Sequence, residues 1–280
     1  MTIVTESDEL RPLLAARGGP RVLVPTMGAL HAGHLALVAR ARELAGPVGT
    51  VVVSIFVNPI QFDRATDLAA YPQPREADLA ACRTAGVDVV FAPTTAGMYF
   101  SDRSVTVTES LLSRTLCGAT RPGHFDGVCT VVLKLFLASG CELAVFGEKD
   151  FQQLAVIRRM VRDLNVPVKI IGHPTVREAD GLAMSSRNVR LTPAQRADAP
   201  RLRRALLAAR DAFAAGSRDA AELLESARRG LEAAAVRLDY LELVDAESLQ
   251  AVARVERPAV VAAAVFYGEV RLIDHVRLEP

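Results

Sequence analysis

The stretch Arg21-Val22-Leu23-Val24-Pro25-Thr26-Met27-Gly28-Ala29-Leu30-His31-Ala32-Gly33-His34 decides the reading of this chain. An apolar strand, Arg21 to Val24, runs into a turn carrying Gly28 and Gly33, and a helical run, Leu35 to Leu44, follows at once. The N-terminus of a helix offers unpaired N–H groups and a partial positive charge, which suit an anion. Glycine lets the backbone come close to whatever binds there. His31 and His34, three residues apart at the helix start, are placed to face one phosphate.

Outward from that segment, strand-like and helix-like runs alternate. Apolar, β-branched runs occupy 21–24, 50–57, 87–92, 143–147 and 168–172, with helical patterns at 35–45, 76–85, 125–139 and 150–164. Continuous apolar strands separated by helices predict a parallel sheet covered on both faces, a doubly wound α/β fold. Such sheets bind ligands at the carboxyl ends of their strands. Residues 25–34, 58–61, 147–150 and 174–187 all fall there. Beyond residue 192 the composition turns to Ala, Arg, Leu and Glu, with Gly216 dividing two expected helices in 193–235; strand-like runs follow at 237–243, 259–267 and 270–278. The expected organisation is a Rossmann-like domain over 1–175 and a smaller α+β lid domain over 176–280, with 174–192 as hinge or lid.

Composition excludes several classes. A chain of 280 residues, half of them hydrophobic, can bury a sizeable core. A formal net charge of +1 argues against a nucleic-acid binder held by charge. No apolar run reaches the roughly 18 residues of a membrane span, and the acidic start, Met1 to Glu9, lacks the pattern of a signal peptide. Cys82, Cys117, Cys129 and Cys141 form no C-x-x-C pair, so they read as buried thiols of a cytoplasmic protein. No H-E-x-x-H, G-x-x-x-x-G-K-[ST] or Ser-His-Asp pattern occurs.

Four further segments carry polar chemistry. Asn58-Pro59-Ile60-Gln61 closes the second strand and would point two amides into the strand-end crevice; on the residues alone the readier reading is an ordinary polar turn. Gly147-Glu148-Lys149-Asp150 closes the fourth strand. Lys149 is one of only three lysines, with Lys134 and Lys169, and stands where a point charge can reach a phosphate; Asp150 also suits a helix cap. In Met184-Ser185-Ser186-Arg187, two hydroxyls and a guanidinium suit phosphate oxygens, or the segment simply caps the next helix. In Arg121-Pro122-Gly123-His124, Arg121 suits an anion, while His124 beside an apolar helix reads as structural or as a ligand contact.

His31-Ala32-Gly33-His34 resembles the HxGH motif of the adenylyl-transferring superfamily, and Met184-Ser185-Ser186-Arg187 resembles that superfamily's second phosphate-binding loop. Together, in order, PTMGALHAGH, FVNPIQF, RPGHFDGV, FGEKDFQQ and PTVREADGLAMSSRN resemble the pantothenate synthetase family along nearly the whole chain. The resemblance implies a ligase of pantothenate biosynthesis that joins pantoate to β-alanine with ATP through pantoyl adenylate, releasing pyrophosphate and AMP. The weighed alternative is a related adenylyl transferase that releases pyrophosphate only.

By the same resemblance, Met27, Gly28, Ala29, Leu30, His31, Ala32, Gly33, His34, Gly147, Glu148, Lys149, Asp150, Val176, Met184, Ser185, Ser186 and Arg187 would line the ATP site. His34, His31 and Lys149 would be catalytic, with His34 the candidate proton donor. Gln61 and Gln153 would hold pantoate, Gln61 also touching β-alanine. Asp78 matches a carboxylate near a Mg²⁺ that travels with ATP. A homodimer is expected, with no nucleic-acid or membrane partner. Cys117 stands where the family usually has Glu, and Gln73 where it usually has Arg.

Overall fold

The computed structural model describes residues 1–232 and 236–280. Six strands form one parallel sheet: β1 (Thr2–Val4), β2 (Arg21–Thr26), β3 (Thr50–Ile55), β4 (Val89–Phe91), β5 (Leu143–Gly147) and β6 (Lys169–His173), in the spatial order β1-β4-β3-β2-β5-β6. The central strands are apolar along their length because helices cover both faces; Thr50 to Ser54 of β3 are all buried. From β2 the chain winds outward in one direction through β3 and β4, and from β5 in the other through β6. The order therefore reverses between β2 and β5, and their carboxyl ends flank the crevice where doubly wound sheets take ligands.

The helix Ala32–Ala45 buries Leu37, Val38, Ala41 and Ala45, one face at helical spacing, in a cluster with Val22, Val24, Val51, Val53, Val90 and Val145. Full burial of a Val or Leu side chain contributes about 1.5–3 kcal/mol, so this one face fixes the helix on the sheet. What leaves the sheet at the end of β2 is thereby delivered to the start of that helix.

Chain contacts divide the protein into two compact units. The first comprises 1–109, 122–148 and 156–174, the second 110–121, 149–155 and 175–280. Segments 110–121 and 149–155 thus group with the second unit, across the boundary expected near 175. Gln152 accounts for part of this: its buried Nε2 donates to Leu112 O at 2.8 Å and Thr115 O at 2.7 Å, and Thr115 Oγ1 donates to Leu249 O at 3.0 Å.

The second unit holds an antiparallel sheet of β7 (Arg237–Asp245), β8 (Ala259–Tyr267) and β9 (Val270–Leu278), with β8 central and buried at every residue. Among the described residues three helices follow residue 192 rather than the expected two, at Pro193–Asp198, Arg201–Ala214 and Ala220–Leu231, and the last two line the core cluster. The stripe Leu202, Ala205, Leu206, Ala209, Phe213 faces that core, and Gly230 lies so close to Ala205 that a Cβ there would come within 2.9 Å of Ala205 Cβ. Two elements near the N-terminus had no expectation attached, the three-residue β1 and the helix Ser7–Ala15. All four cysteines are free and buried.

Candidate active site

At the end of β2 the backbone is tied down residue by residue. Thr26 Oγ1 donates to Ser54 O at 2.7 Å and accepts from Gly28 N–H at 3.1 Å. Gly28 is left-handed (φ +78°), and a Cβ there would sit 2.8 Å from Asp78 Oδ2, so the position admits only glycine. Ala29 is also left-handed (φ 49°), a conformation that costs a non-glycine residue about 1 kcal/mol or more. Asp78, on the helix Arg75–Thr84, holds it there: Oδ2 accepts from Ala29 N–H at 2.9 Å and Oδ1 from Leu30 N–H at 2.7 Å. The side chain expected beside a metal is thus 2 % exposed, with each oxygen engaged by the backbone.

His31 is the N-cap of the following helix. Its Nδ1 accepts from Gly33 N–H at 3.1 Å, and His34 Nδ1 accepts from His31 N–H at 3.3 Å. A backbone N–H can only donate, so both Nδ1 atoms are unprotonated and each neutral ring carries its proton on Nε2. The rings lie 4.0 Å apart, tilted by 31°. The helix start thus combines its own partial positive charge with a pair of imidazoles of defined tautomer.

Gln61 ends the short helical turn after β3 and is buried. Its carbonyl oxygen lies 2.7 Å from His124 Nδ1, which assigns His124 the structural role among its two readings. Gly127 presses against the same turn, where a Cβ would fall 2.6 Å from Gln61 Cα. Gly147 and Glu148 close β5, across the strand-order reversal from β2. The first unit therefore holds Met27 to His34, Gln61, Asp78, Gly147 and Glu148.

Lys149, Asp150, Gln153, Val176 and Met184 to Arg187 belong to the second unit. Lys149 is largely withdrawn from water, and that desolvation lowers its pKa; Asp150 opposes the shift, and the positive Arg187 adds to it. Two cations that disfavour each other's charge gain from an anion bound between them. Within 174–192, the expected hinge or lid, residues 176–184 form a tied hairpin. Met184 N–H donates to Val176 O at 3.0 Å and Glu178 N–H to Leu182 O at 2.8 Å, around Gly181 (φ +91°). Arg177 clamps it to β9 with two bonds to the buried Asp274, at 2.7 and 2.8 Å. Arg196 pairs with Glu178 and Asp180, and Asn188 Nδ2 donates to Glu178 Oε1 and Ala183 O, both at 3.1 Å. Ser185 then caps the turn Ser186–Arg190, its hydroxyl accepting from Arg187 N–H at 3.2 Å. Sequence reasoning assigned no role to Arg177 or Asp274, whose pairing spans 97 residues of chain.

The family model described as pantoate-β-alanine ligase matches residues 2–277. The chain belongs to the pantoate-β-alanine ligase family. A pantothenate synthetase of Akkermansia muciniphila is 58 % identical over 258 residues, covering 92 % of each chain. One of Pseudomonas savastanoi pv. phaseolicola is 51 % identical over 284 residues, covering 99 % of each. Among solved structures, a pantothenate synthetase of Thermus thermophilus superposes with a TM-score of 0.94 at 47 % identity, each chain covered completely. A Francisella tularensis pantoate-β-alanine ligase, complexed with β,γ-ATP and β-alanine, gives 0.79 at 30 % identity, covering 99 % of this chain and 97 % of that one. The sheet and the small antiparallel C-terminal sheet are those of this family.

Proposed function

We propose that this protein condenses pantoate with β-alanine at the expense of ATP, in two steps. The pantoate carboxylate attacks the α-phosphorus, the P–O bond to the β-phosphate breaks, and pyrophosphate leaves. The β-alanine amine, in its neutral form, then attacks the acyl carbon of pantoyl adenylate; the C–O bond breaks and AMP departs with the oxygen. The observation that carries this reading is the pair of Nε2-protonated histidines at a helix start beside the strand-order reversal, in a chain of this family.

His31 and His34 donate Nε2–H hydrogen bonds to phosphate oxygens, and His34 is assigned as proton donor to the departing group, a role it fills as the imidazolium, with Nδ1 protonated and His31 N–H released. Lys149 stabilises charge on the α-phosphate. Met27 to Gly33, Gly147 to Asp150 and Val176 line the nucleotide, and Met184, Ser185, Ser186 and Arg187 take its outer phosphates. Gln61 and Gln153 hold the pantoate hydroxyl and carboxylate, and Gln61 also meets β-alanine. Mg²⁺ travelling with ATP would neutralise part of the triphosphate charge, and because it keeps several waters it would need few protein ligands; His31, His34, Lys149 and Arg187 are assigned to the phosphates themselves. Asp78, with both oxygens on the loop, is assigned to holding that loop and not to the metal.

The active species in this reading is a cytoplasmic homodimer. Val105, in the irregular segment 103–109, is 77 % exposed and nearby Phe100 76 %, which supports a covered surface there in the assembly. Among the described residues no helix is long and apolar enough to cross a membrane.

AMP release measured with and without each substrate tests the reaction. The expected result is AMP that requires both pantoate and β-alanine. Turnover to pyrophosphate without either would replace this reading with that of a simple adenylyl transferase.

A further inference from the structure

Behind Gln61 lies a chain of hydrogen bonds whose directions are all fixed. Asn58 is 1 % exposed. Its amide meets three partners: Gly127 O at 3.1 Å, Gln61 Oε1 at 2.9 Å and the Tyr99 hydroxyl at 2.8 Å. A backbone carbonyl can only accept, so the atom facing Gly127 O is Nδ2. Oδ1 therefore faces Tyr99, and the phenol must donate to it. The other Nδ2 hydrogen goes to Gln61, so the atom it meets is Oε1. The Gln61 NH₂ is then turned the other way, with Met27 Sδ at 3.2 Å as a partner. A thioether is a weak acceptor, readily given up for a better one.

Tyr99 suits the head of this relay. It is 8 % exposed and packs near Phe56, with Arg103 and Lys134 within 6 Å of its ring face. Burial pushes the phenol pKa up, so the hydroxyl keeps the proton it donates. His124 fixes the Gln61 backbone from another side, through Gln61 O. With the side-chain carbonyl held by Asn58, the NH₂ lies on the opposite edge of the amide.

We propose that Tyr99 is a positioning residue: acting through Asn58, its hydroxyl sets the Gln61 amide so that NH₂, and not the carbonyl, meets the substrate. This rests on the reading that Gln61 binds pantoate, and it sharpens that reading. The group taken at Gln61 is an oxygen acceptor, a carboxylate or a hydroxyl lone pair. An ammonium is refused there, because two donors would face each other. The β-alanine carboxylate can meet the same NH₂, while its nitrogen must approach from elsewhere.

The test uses the full-length enzyme in Tyr99→Phe, Gln61→Ala, the double variant and Gln61→Glu, with KM measured separately for pantoate and ATP, and pantoate affinity and stoichiometry by calorimetry. Tyr99→Phe removes one oxygen and leaves Asn58 Oδ1 without its donor. The expected result is a pantoate KM raised about fivefold or more with the ATP KM within about twofold, and little further rise when Tyr99→Phe is added to Gln61→Ala. Partial misfolding would lower the number of calorimetric sites without weakening each one. Gln61→Glu keeps the shape but replaces the offered NH₂ by oxygen, so it is expected to weaken pantoate at least as much as Gln61→Ala. An unchanged pantoate KM in Tyr99→Phe, a full additive effect in the double variant, or wild-type affinity in Gln61→Glu would overturn the relay while leaving Gln61 in the site. An unchanged pantoate KM in Gln61→Ala would instead remove Gln61 from pantoate binding, and the relay's role with it.

Discussion

Replacing Asp78 by Asn separates two roles for one carboxylate. In the structure its two oxygens accept from Ala29 N–H and Leu30 N–H at 2.9 and 2.7 Å, in a side chain that is 2 % exposed. Hydrogen bonds to a charged acceptor contribute about 1.5–3 kcal/mol each. Asn keeps an oxygen for one N–H and turns an NH₂ towards the other, so one bond is lost and a buried donor faces a donor. The expected cost is about 2–3 kcal/mol, or roughly 4–12 °C in melting temperature for a unit of this size. The left-handed strain at Ala29 is also released, so the loop leaves its shape and the KM for ATP rises. The assay is thermal unfolding by circular dichroism, paired with ATP kinetics over a Mg²⁺ titration. If Asp78→Asn melts within about 1 °C of the wild type and only raises the Mg²⁺ requirement, the carboxylate serves the metal and the loop assignment is refuted.

Lys149→Ala is expected to slow single-turnover pyrophosphate formation by about 10²–10³-fold while changing pantoate affinity far less; an unchanged rate removes Lys149 from the chemistry. Gly127→Ala drives a methyl to within 2.5 Å of Ile60 O and 2.6 Å of Gln61 Cα, so it should cost about 1–3 kcal/mol in urea unfolding and weaken pantoate with it; full stability would show that the turn has room. Arg177→Met strands the buried Asp274 carboxylate and should cost about 3–5 kcal/mol, much of it restored by adding Asp274→Leu; a single variant as stable as wild type contradicts the clamp. Burial lowers His275 to about 4 from its ordinary 6.5, so the unfolded chain takes up the proton first as pH falls. Stability contributed by neutral His275 is complete above pH 6.5 and declines towards pH 4, by up to about 3 kcal/mol, and His275→Asn should flatten that limb of urea midpoints against pH.

The sheet was legible because its strands are apolar through their whole length, and a run such as Val51-Val52-Val53 suits a strand buried on both faces. β1 was not, because three residues are too few to show a period; it exists through pairing with Val89 to Phe91. The ties of 110–121 and 149–155 to the second unit were illegible for a different reason. They rest on Gln152 and Thr115 reaching backbone carbonyls far away in sequence, and no local pattern marks an amide as buried. In the site, motif residues stood out by type and spacing. The residues that hold them did not: Asp78 lies 48 and 49 residues from the N–H groups it accepts, and Tyr99 41 from Asn58. Their identities are ordinary for a helix and a loop, and only the fold assigns them partners.

The histidine cap at the start of the helix Ala32–Ala45 has a mechanical side. Nδ1 of each ring serves as a hook for a backbone N–H, and the hook exists only while that nitrogen holds a lone pair. A ring that becomes imidazolium must unhook. Charging His31 frees Gly33 N–H, and charging His34 frees His31 N–H, so each proton taken up loosens the first turn at the moment that turn gains positive charge to offer an anion. Grip and acidity are geared together here: the helix start is firmest when the rings are neutral, and an anion able to accept the released N–H groups would offset the loosening that a charged ring brings.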